Sequence, residues 1–452
     1  MNRITRRRFL EALSAGGLVH ALGVTPGTVW AQAAGTGGFS DYKALVCVFL
    51  FGGNDSWSMV VPRSDAEYNA YAQSRQNLAI AKDQLLPVNA LNGDGVLYGL
   101  HPSMQGVASL FESARCAVVA NVGPLIAPTT KTQYQQKSVP LPPQLFSHND
   151  QQDQWHSLRG QATSKSGWAG RIADLVAGQL SSQQLALNVS LSGNTLFQAG
   201  EVATPYIMGA SGATTFTGMG SGATATARKT GFTNVVNATY GSVYERAYAE
   251  IQKRALKYAD LVNGALAAAP TLATAFPANS TLATQLQTVA KMIAVRERLG
   301  MSRQVFFVAT GGFDTHDDQL QDQPGLLGNV SASLAAFHAA TVELGVAEKV
   351  TTFTQSDFGR TLTSNGDGSD HAWGGVQLVV GGGVKGRTIY GRYPVLAING
   401  PEDVGGGRFI PAVSSDQYAA TLARWFGVAD ADLPKIAPSI GNFAERDLGF
   451  LI

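Results

Sequence analysis

At 452 residues, 45% of them hydrophobic, the chain can fill one large α/β domain or two smaller ones around an ample core. Its 33 Lys and Arg nearly balance 32 Asp and Glu, for a formal charge of +1, so no basic excess marks nucleic acid as a partner. The 51 glycines are spread through loops and strand ends without a repeat period, which excludes collagen-like and solenoid chains.

The N-terminus carries the most specific motif. Thr5-Arg6-Arg7-Arg8-Phe9-Leu10 is a twin-arginine pattern, followed by an apolar Gly/Ala-rich run over 12–24 and an A-x-A site at Ala31-Gln32-Ala33. This predicts a signal peptide over 1–33, export by the twin-arginine translocase to the periplasm, and one domain over 34–452. A basic amphipathic first helix is the competing reading, and the short apolar run followed by a cleavage site opposes it. No later segment reads as the roughly twenty apolar residues of a membrane span. Cys47 and Cys116 lie in apolar strand-like runs, and the sequence leaves open a disulfide or two buried thiols.

The domain opens with a continuous apolar run over 44–51, the pattern of a strand buried on both faces. It ends in Gly52-Gly53-Asn54-Asp55-Ser56, where Asp55 is either a metal ligand at the strand's carboxyl end or the N-cap of the next helix. A second strand over 117–122 follows a helix that starts near His101, a residue read as packed or capping. A Pro- and Gln-rich connector then leads to Leu145-Phe146-Ser147-His148-Asn149-Asp150 and a polar helix. Ser147 is a candidate nucleophile, because backbone N–H groups at a helix start face an attacked anion; with Asp150 it also forms a capping-box-like pair. His148 is a second candidate for substrate or metal contact.

A helix over 168–179 and a strand over 185–191 come next, then a Gly/Ala/Thr-rich stretch over 209–231 that reads as a flexible surface loop or lid. Tyr244, Tyr248, Ile251, Tyr258 and Val262 recur at helical spacing, as do Leu282, Leu286, Val289, Ile293 and Leu299, and both stripes predict core contacts. A buried-strand pattern over 305–310 runs into Gly311-Gly312-Phe313-Asp314-Thr315-His316, where Asp314 and His316 can point to one side. A helix over 326–345 completes a β-α-β order leading to the strand that ends at Ser356-Asp357-Phe358-Gly359-Arg360. Asp357 at a strand's carboxyl end can bind a hard cation, and Arg360 offers a planar fork to an oxyanion. The chain then reaches Asp370-His371, whose carboxylate and imidazole suit zinc, manganese or iron. A strand over 376–380, a helix over 416–427 and a Pro-interrupted tail close the sequence.

The combination FLFGGNDSWSMVVP, FSHNDQQDQW, GGFDTHDDQ and SDFGRT…NGDGSDHAWGG resembles the exported family called domain of unknown function 1501, over nearly all of the chain after the signal. That family is grouped with the alkaline phosphatase and sulfatase superfamily. The resemblance implies a three-layer α/β/α sandwich with a mixed, mainly parallel central sheet, and one or two divalent ions such as zinc, manganese or calcium. It further implies Asp55 as the acid from the first strand, Ser147 as the nucleophile-like position, Asp314 with His316 as the middle pair, Asp357 as the first member of an Asp-His doublet, and His371 as the late histidine. Phe358 stands where the doublet's His would be, and Asp314 and His316 are spaced Asp-x-His rather than Asp-x-x-x-His, so Asp370 and His148 are candidates to complete a site.

The expected function is a periplasmic metal-dependent hydrolase of a phosphate or sulfate ester on a small molecule or glycan. In it Ser147 attacks, Arg360 steadies the charged oxygens, and Asp55, Asp314, His316, Asp357 and His371 hold metal. The alternative is a non-catalytic cell-envelope binding or assembly protein on the same fold.

Overall fold

A computed structural model describes residues 38–160, 164–180, 183–213, 218 and 220–452. The expected signal peptide lies outside the described residues.

The organising element is β1 (Lys43–Leu50), whose alternating side chains serve two cores. Ala44, Val46, Val48 and Leu50 face one apolar layer, and Leu45, Cys47 and Phe49 face the other. Such two-sided burial selects the continuous apolar run seen in the sequence. Parallel neighbours flank it on both sides: β8 (Arg303–Thr310) and β9 (Val350–Ser356). The register pairs Leu50 with both Thr310 and Ser356, so the three carboxyl ends finish level.

The nine-stranded sheet runs β11-β5-β10-β9-β1-β8-β6-β7, with β12 beside β5. The remaining members are β5 (Cys116–Gly123), β6 (Asn188–Ser190), β7 (Tyr206–Ile207), β10 (Gly375–Gly381), β11 (Ile389–Tyr390) and β12 (Val413–Ser414). β10 pairs antiparallel with β5 and β9, and the other pairings are parallel. Helices cover both faces, which makes the expected mixed, mainly parallel α/β/α sandwich. A separate small sheet of β2 (Val60–Pro62), β3 (Leu86–Val88) and β4 (Tyr98–Leu100) lies beside it.

Helix Gln319–Glu343 carries the chain from β8 to β9; at 25 residues, with an 18-residue stretch of mean hydropathy 1.2, it is long and apolar enough to cross a bilayer by those measures alone. Here Leu327, Val330, Leu334 and Phe337 are buried in the core instead. The two cysteines, Cys47 on β1 and Cys116 on β5, are buried free thiols.

Two expectations need correction. The second half of the stretch read as a loop over 209–231 enters helix Ala223–Val236, while residues 214–217 and 219 lie outside the described residues. Ala favours a helix intrinsically, and only Val236 of this helix is buried, so no apolar stripe announces it. The stripe on helix Val243–Ala267 is also only half used. Val262 is buried, whereas Tyr244, Tyr248 and Ile251 are 84%, 65% and 59% exposed, since helical spacing groups residues on a face without fixing how far along it the core reaches.

Helix Ser415–Phe426 lies on the second face, capped by Ser414, and buries Asp416 in its first turn. Asp416 accepts a hydrogen bond from the Ser439 N–H at 2.8 Å, yet burial pushes its carboxyl up to about 7 against the opposing pull of that bond and of Arg171. An unfolded carboxyl titrates near about 3.9. The folded chain therefore holds this proton more tightly, and the associated stability is complete below about pH 4 and lost as pH rises through about 7. Asp416→Asn should flatten that slope: thermal unfolding from about pH 5 to about pH 8 should show a smaller fall for the variant than for the wild type. Parallel curves would contradict a protonated Asp416.

Candidate metal centre

The level ends of β1, β8 and β9 form the edge on which the site is built. Gly52 and Gly53 turn the chain after β1 with φ of 115° and 84°. A side chain at Gly53 would strike the Phe358 ring at 2.2 Å, and one at Gly52 the Asp314 backbone at 2.3 Å. The three exit loops can therefore pack on one another.

Arg360 ties them together. Fully buried, it donates Nε–H bonds to the carbonyls of Gly53 (2.9 Å) and Phe313 (3.0 Å), an Nη2–H bond to that of Gly52 (3.1 Å), and others to the Ser369 carbonyl and the Asp314 carboxylate. These bonds take Nε–H, both Nη2 hydrogens and one of the two on Nη1, and the side chain has no exposed surface, which corrects its expected role as a substrate contact. Burial pulls the Arg360 pKa down and Asp314 counters that pull.

Around Asp314 the structure gathers three imidazoles. The Oδ1 atom of Asp314 lies 3.5 Å from His148 Nε2, 3.2 Å from His316 Nε2 and 3.4 Å from His371 Nε2. His148, Asp314 and His371 hold ligand atoms all within 4.8 Å of one another. His316 Nε2 is 2.8 Å from His371 Nε2. Burial alone would raise the Asp314 carboxyl, but Arg360, His148 and His316 outweigh it and hold the pKa below its ordinary value.

Each ring is oriented through its far nitrogen. His371 Nδ1 lies 2.8 Å from the Phe146 carbonyl, which can only accept, so Nδ1 carries the hydrogen. His148 Nδ1 sits 2.6 Å from Asp357 Oδ2, and His316 Nδ1 3.3 Å from Asp370 Oδ1. In the neutral rings this leaves all three Nε2 lone pairs aimed inward, the arrangement in which a carboxylate or carbonyl fixes the tautomer of a metal-binding histidine. Two lone pairs 2.8 Å apart repel unless a proton or a cation lies beside them. Burial, offset in part by the Phe146 carbonyl, lowers the His371 pKa and disfavours the extra proton.

A tetrahedral ion with bonds of about 2.0–2.1 Å needs ligand atoms about 3.3 Å apart, which matches the Asp314–imidazole separations. Behind His148, Asp357 is fully buried; its Oδ2 accepts from His148 and Gln152, which holds the ring that presents Nε2 to Asp314. The donor set, imidazoles with a carboxylate, suits zinc or manganese better than calcium, which prefers oxygen alone.

The remaining candidates are placed differently from expectation. Asp55 is buried, ion-paired with Arg75, and also accepts from Ser58 and Gln319. Its charge is matched inside the core, so it is not among the converging side chains. Asp357 and Asp370 orient His148 and His316 rather than join them, and of the two contacts considered for His148, substrate or metal, its place beside Asp314 and His371 fits the metal. Ser147 precedes helix His148–Ser157, and its hydroxyl donates to Asp150 Oδ2 at 2.6 Å instead of capping the backbone.

A cleft of about 420 Å³ opens on this cluster, lined by Tyr134, Phe146, His316, Asp370, His371, Val404 and Arg408. Arg408 escaped the sequence reading. Its one signal is the preceding Gly405-Gly406-Gly407, whose φ values of 133°, 66° and 75° only glycine adopts easily.

The family model "Protein of unknown function (DUF1501)" matches residues 42–429. The chain belongs to this family. No curated protein matches this DUF1501 chain. Among solved structures, Ps i-CgsB in complex with k-i-k-neocarrahexaose is similar at 9% identity and a TM-score of 0.34, over 87% of this chain and 74% of that one. The PsFucS1 sulfatase from Pseudoalteromonas sp. is similar at 12% identity and a TM-score of 0.31, over 86% and 68%. Scores this low leave the chemistry of the DUF1501 site to be argued from its own residues.

Arg360→Met tests the clamp. It strands four carbonyls, those of Gly52, Gly53, Phe313 and Ser369, at about 1 kcal/mol or more each. Urea unfolding in the presence of a chelator should show a loss of at least about 3 kcal/mol. An unchanged midpoint would return Arg360 to the role of a substrate contact.

Proposed function

We propose that this DUF1501 protein is an exported, periplasmic hydrolase of a phosphate or sulfate ester that works with one divalent ion held by His148, Asp314 and His371, with His316 beside them. The observation that carries the reading is the inward set of Nε2 atoms around Asp314 Oδ1, each ring fixed from behind by Phe146, Asp357 or Asp370. The twin-arginine pattern supports passage through the translocase in the folded state. Of the one or two ions considered from sequence, this reading takes one, because Asp55 is ion-paired with Arg75.

An ion there supplies positive charge against the negative charge that develops on the ester's oxygens. The chain's own residues do the rest. Ser147 stands between Phe146, which lines the cleft, and His148, in the cluster, and its hydroxyl already points its proton at Asp150. In this reading Ser147 Oγ attacks phosphorus or sulfur as its proton passes to Asp150. The bond to the ester oxygen breaks, the alcohol leaves with a proton returned by Asp150, and water later cleaves the seryl ester.

A second reading, a cell-envelope binding or assembly protein, is favoured by one observation: Phe358 packs its ring 4.8 Å from His148 and 4.5 Å from His371, filling space where a further ligand could stand. The two readings separate on purified folded protein assayed for bound metal and for aryl phosphate and aryl sulfate turnover. The hydrolase should carry close to one equivalent of metal and turn over one of the esters. Asp314→Ala should lose metal and turnover together, whereas Ser147→Ala should keep the metal and lose at least about a hundredfold in kcat. Metal without turnover of either ester would favour the binding protein, and a chain that takes up no metal would end the hydrolase reading.

A further inference from the structure

The cleft beside the cluster holds a cation with no acid to balance it. Arg408 is half-buried; its Nε–H donates to the His371 carbonyl at 2.9 Å and its Nη1–H to the Gly405 carbonyl at 3.0 Å. Both bonds go to neutral oxygens, and among the described residues Arg408 makes no ion pair and Nη2 has no hydrogen-bond partner. The one carboxylate lining the cleft, Asp370, is engaged by His316 Nδ1 and Asn365 Nδ2, each at 3.3 Å.

The guanidinium is also held in place. Its carbon lies 5.5 Å from the Phe146 ring centroid, a cation–π contact that fixes the plane of the fork. Phe146 has a φ of 74°, in the left-handed region that a non-glycine residue enters at a cost of about 1 kcal/mol or more. One residue in that unusual conformation thus sets the His371 ring through its carbonyl and carries Arg408 on its ring. Tyr134 also lines the cleft, braced against Trp373 with ring centroids 5.8 Å apart.

We infer that Arg408 is the anion-binding residue of this cleft, receiving the tetrahedral oxyanion of a ring-bearing phosphate or sulfate ester whose ring packs on Tyr134. This rests on the proposed hydrolase reading for the identity of the ester, but the anion site itself needs no ion. Arg408 takes the role that the sequence suggested for Arg360, which is fully buried and bonded to loop carbonyls and to Asp314. A planar fork with one free nitrogen beside the His371 carbonyl suits an oxygen of a tetrahedral anion better than a point charge would.

Inorganic phosphate binding, measured by calorimetry on zinc-loaded and on chelator-treated protein, tests the assignment with wild type, Arg408→Gln and Arg408→Lys. Zinc content is measured on the same samples. Arg408→Gln should weaken phosphate at least about tenfold while zinc stoichiometry holds, and Arg408→Lys should recover part of the loss. Equal phosphate affinity in wild type and Arg408→Gln, with zinc bound, overturns this inference and leaves the metal reading standing. Phosphate binding that depends on Arg408 in a chain that takes up no zinc supports this inference and defeats the metal reading. Tyr134→Ala should weaken phenyl phosphate more than inorganic phosphate, and equal effects on the two would refute the ring contact.

Discussion

The guanidinium of Arg360 is the interaction on which the site depends. Three parallel strands end level, and their exit loops would each be free to leave the sheet edge in their own direction. One buried cation closes them on itself, through the carbonyls of Gly52 and Gly53 after β1, the carbonyl of Phe313 and the carboxylate of Asp314 after β8, and the carbonyl of Ser369 in the loop after β9. Burying that charge is costly, and the cost is offset because the carbonyls and the carboxylate satisfy the fork in a plane. The same grip aims Asp314 toward the imidazoles.

The imidazoles depend in turn on partners from different parts of the chain. His148 arrives at a helix start and leans on Asp357 after β9; His371 arrives just before β10 and leans on Phe146; His316 leans on Asp370. The loop that carries Asp370 lies against the backbone at His316, where a side chain at Gly368 would meet the Thr315 carbonyl at 2.3 Å. Such packing gives the inner nitrogens fixed directions, and preorganisation of this kind is what a metal centre or an electrostatic catalyst requires.

Much of this was legible in the residues. The alternation-free apolar runs of β1 and β8 announced buried parallel strands, the β-branched and aromatic residues of β9 a third strand, and the glycines and acids behind each the ligand edge of an α/β sheet. The division of labour was not legible, because it depends on contacts between residues far apart in sequence. Asp55 reads like a ligand until Arg75, 20 residues on, is seen paired with it. Asp357 and Asp370 read like ligands and turn out to stand behind histidines. Arg408 has no motif of its own, and the exposed Tyr244 and Tyr248 share a helical spacing with the buried Val262, since periodicity records which residues share a face and not how far the core extends.

The central claim is that Nδ1 of His148, His316 and His371 holds the hydrogen and leaves Nε2 open toward Asp314. Ring ¹⁵N–¹H correlation spectra of chelator-treated protein at mildly alkaline pH read this directly. The account predicts the Nδ1–H tautomer for all three rings and a shift of their Nε2 resonances on addition of zinc. Hydrogens on Nε2, with spectra that zinc leaves unchanged, would contradict it.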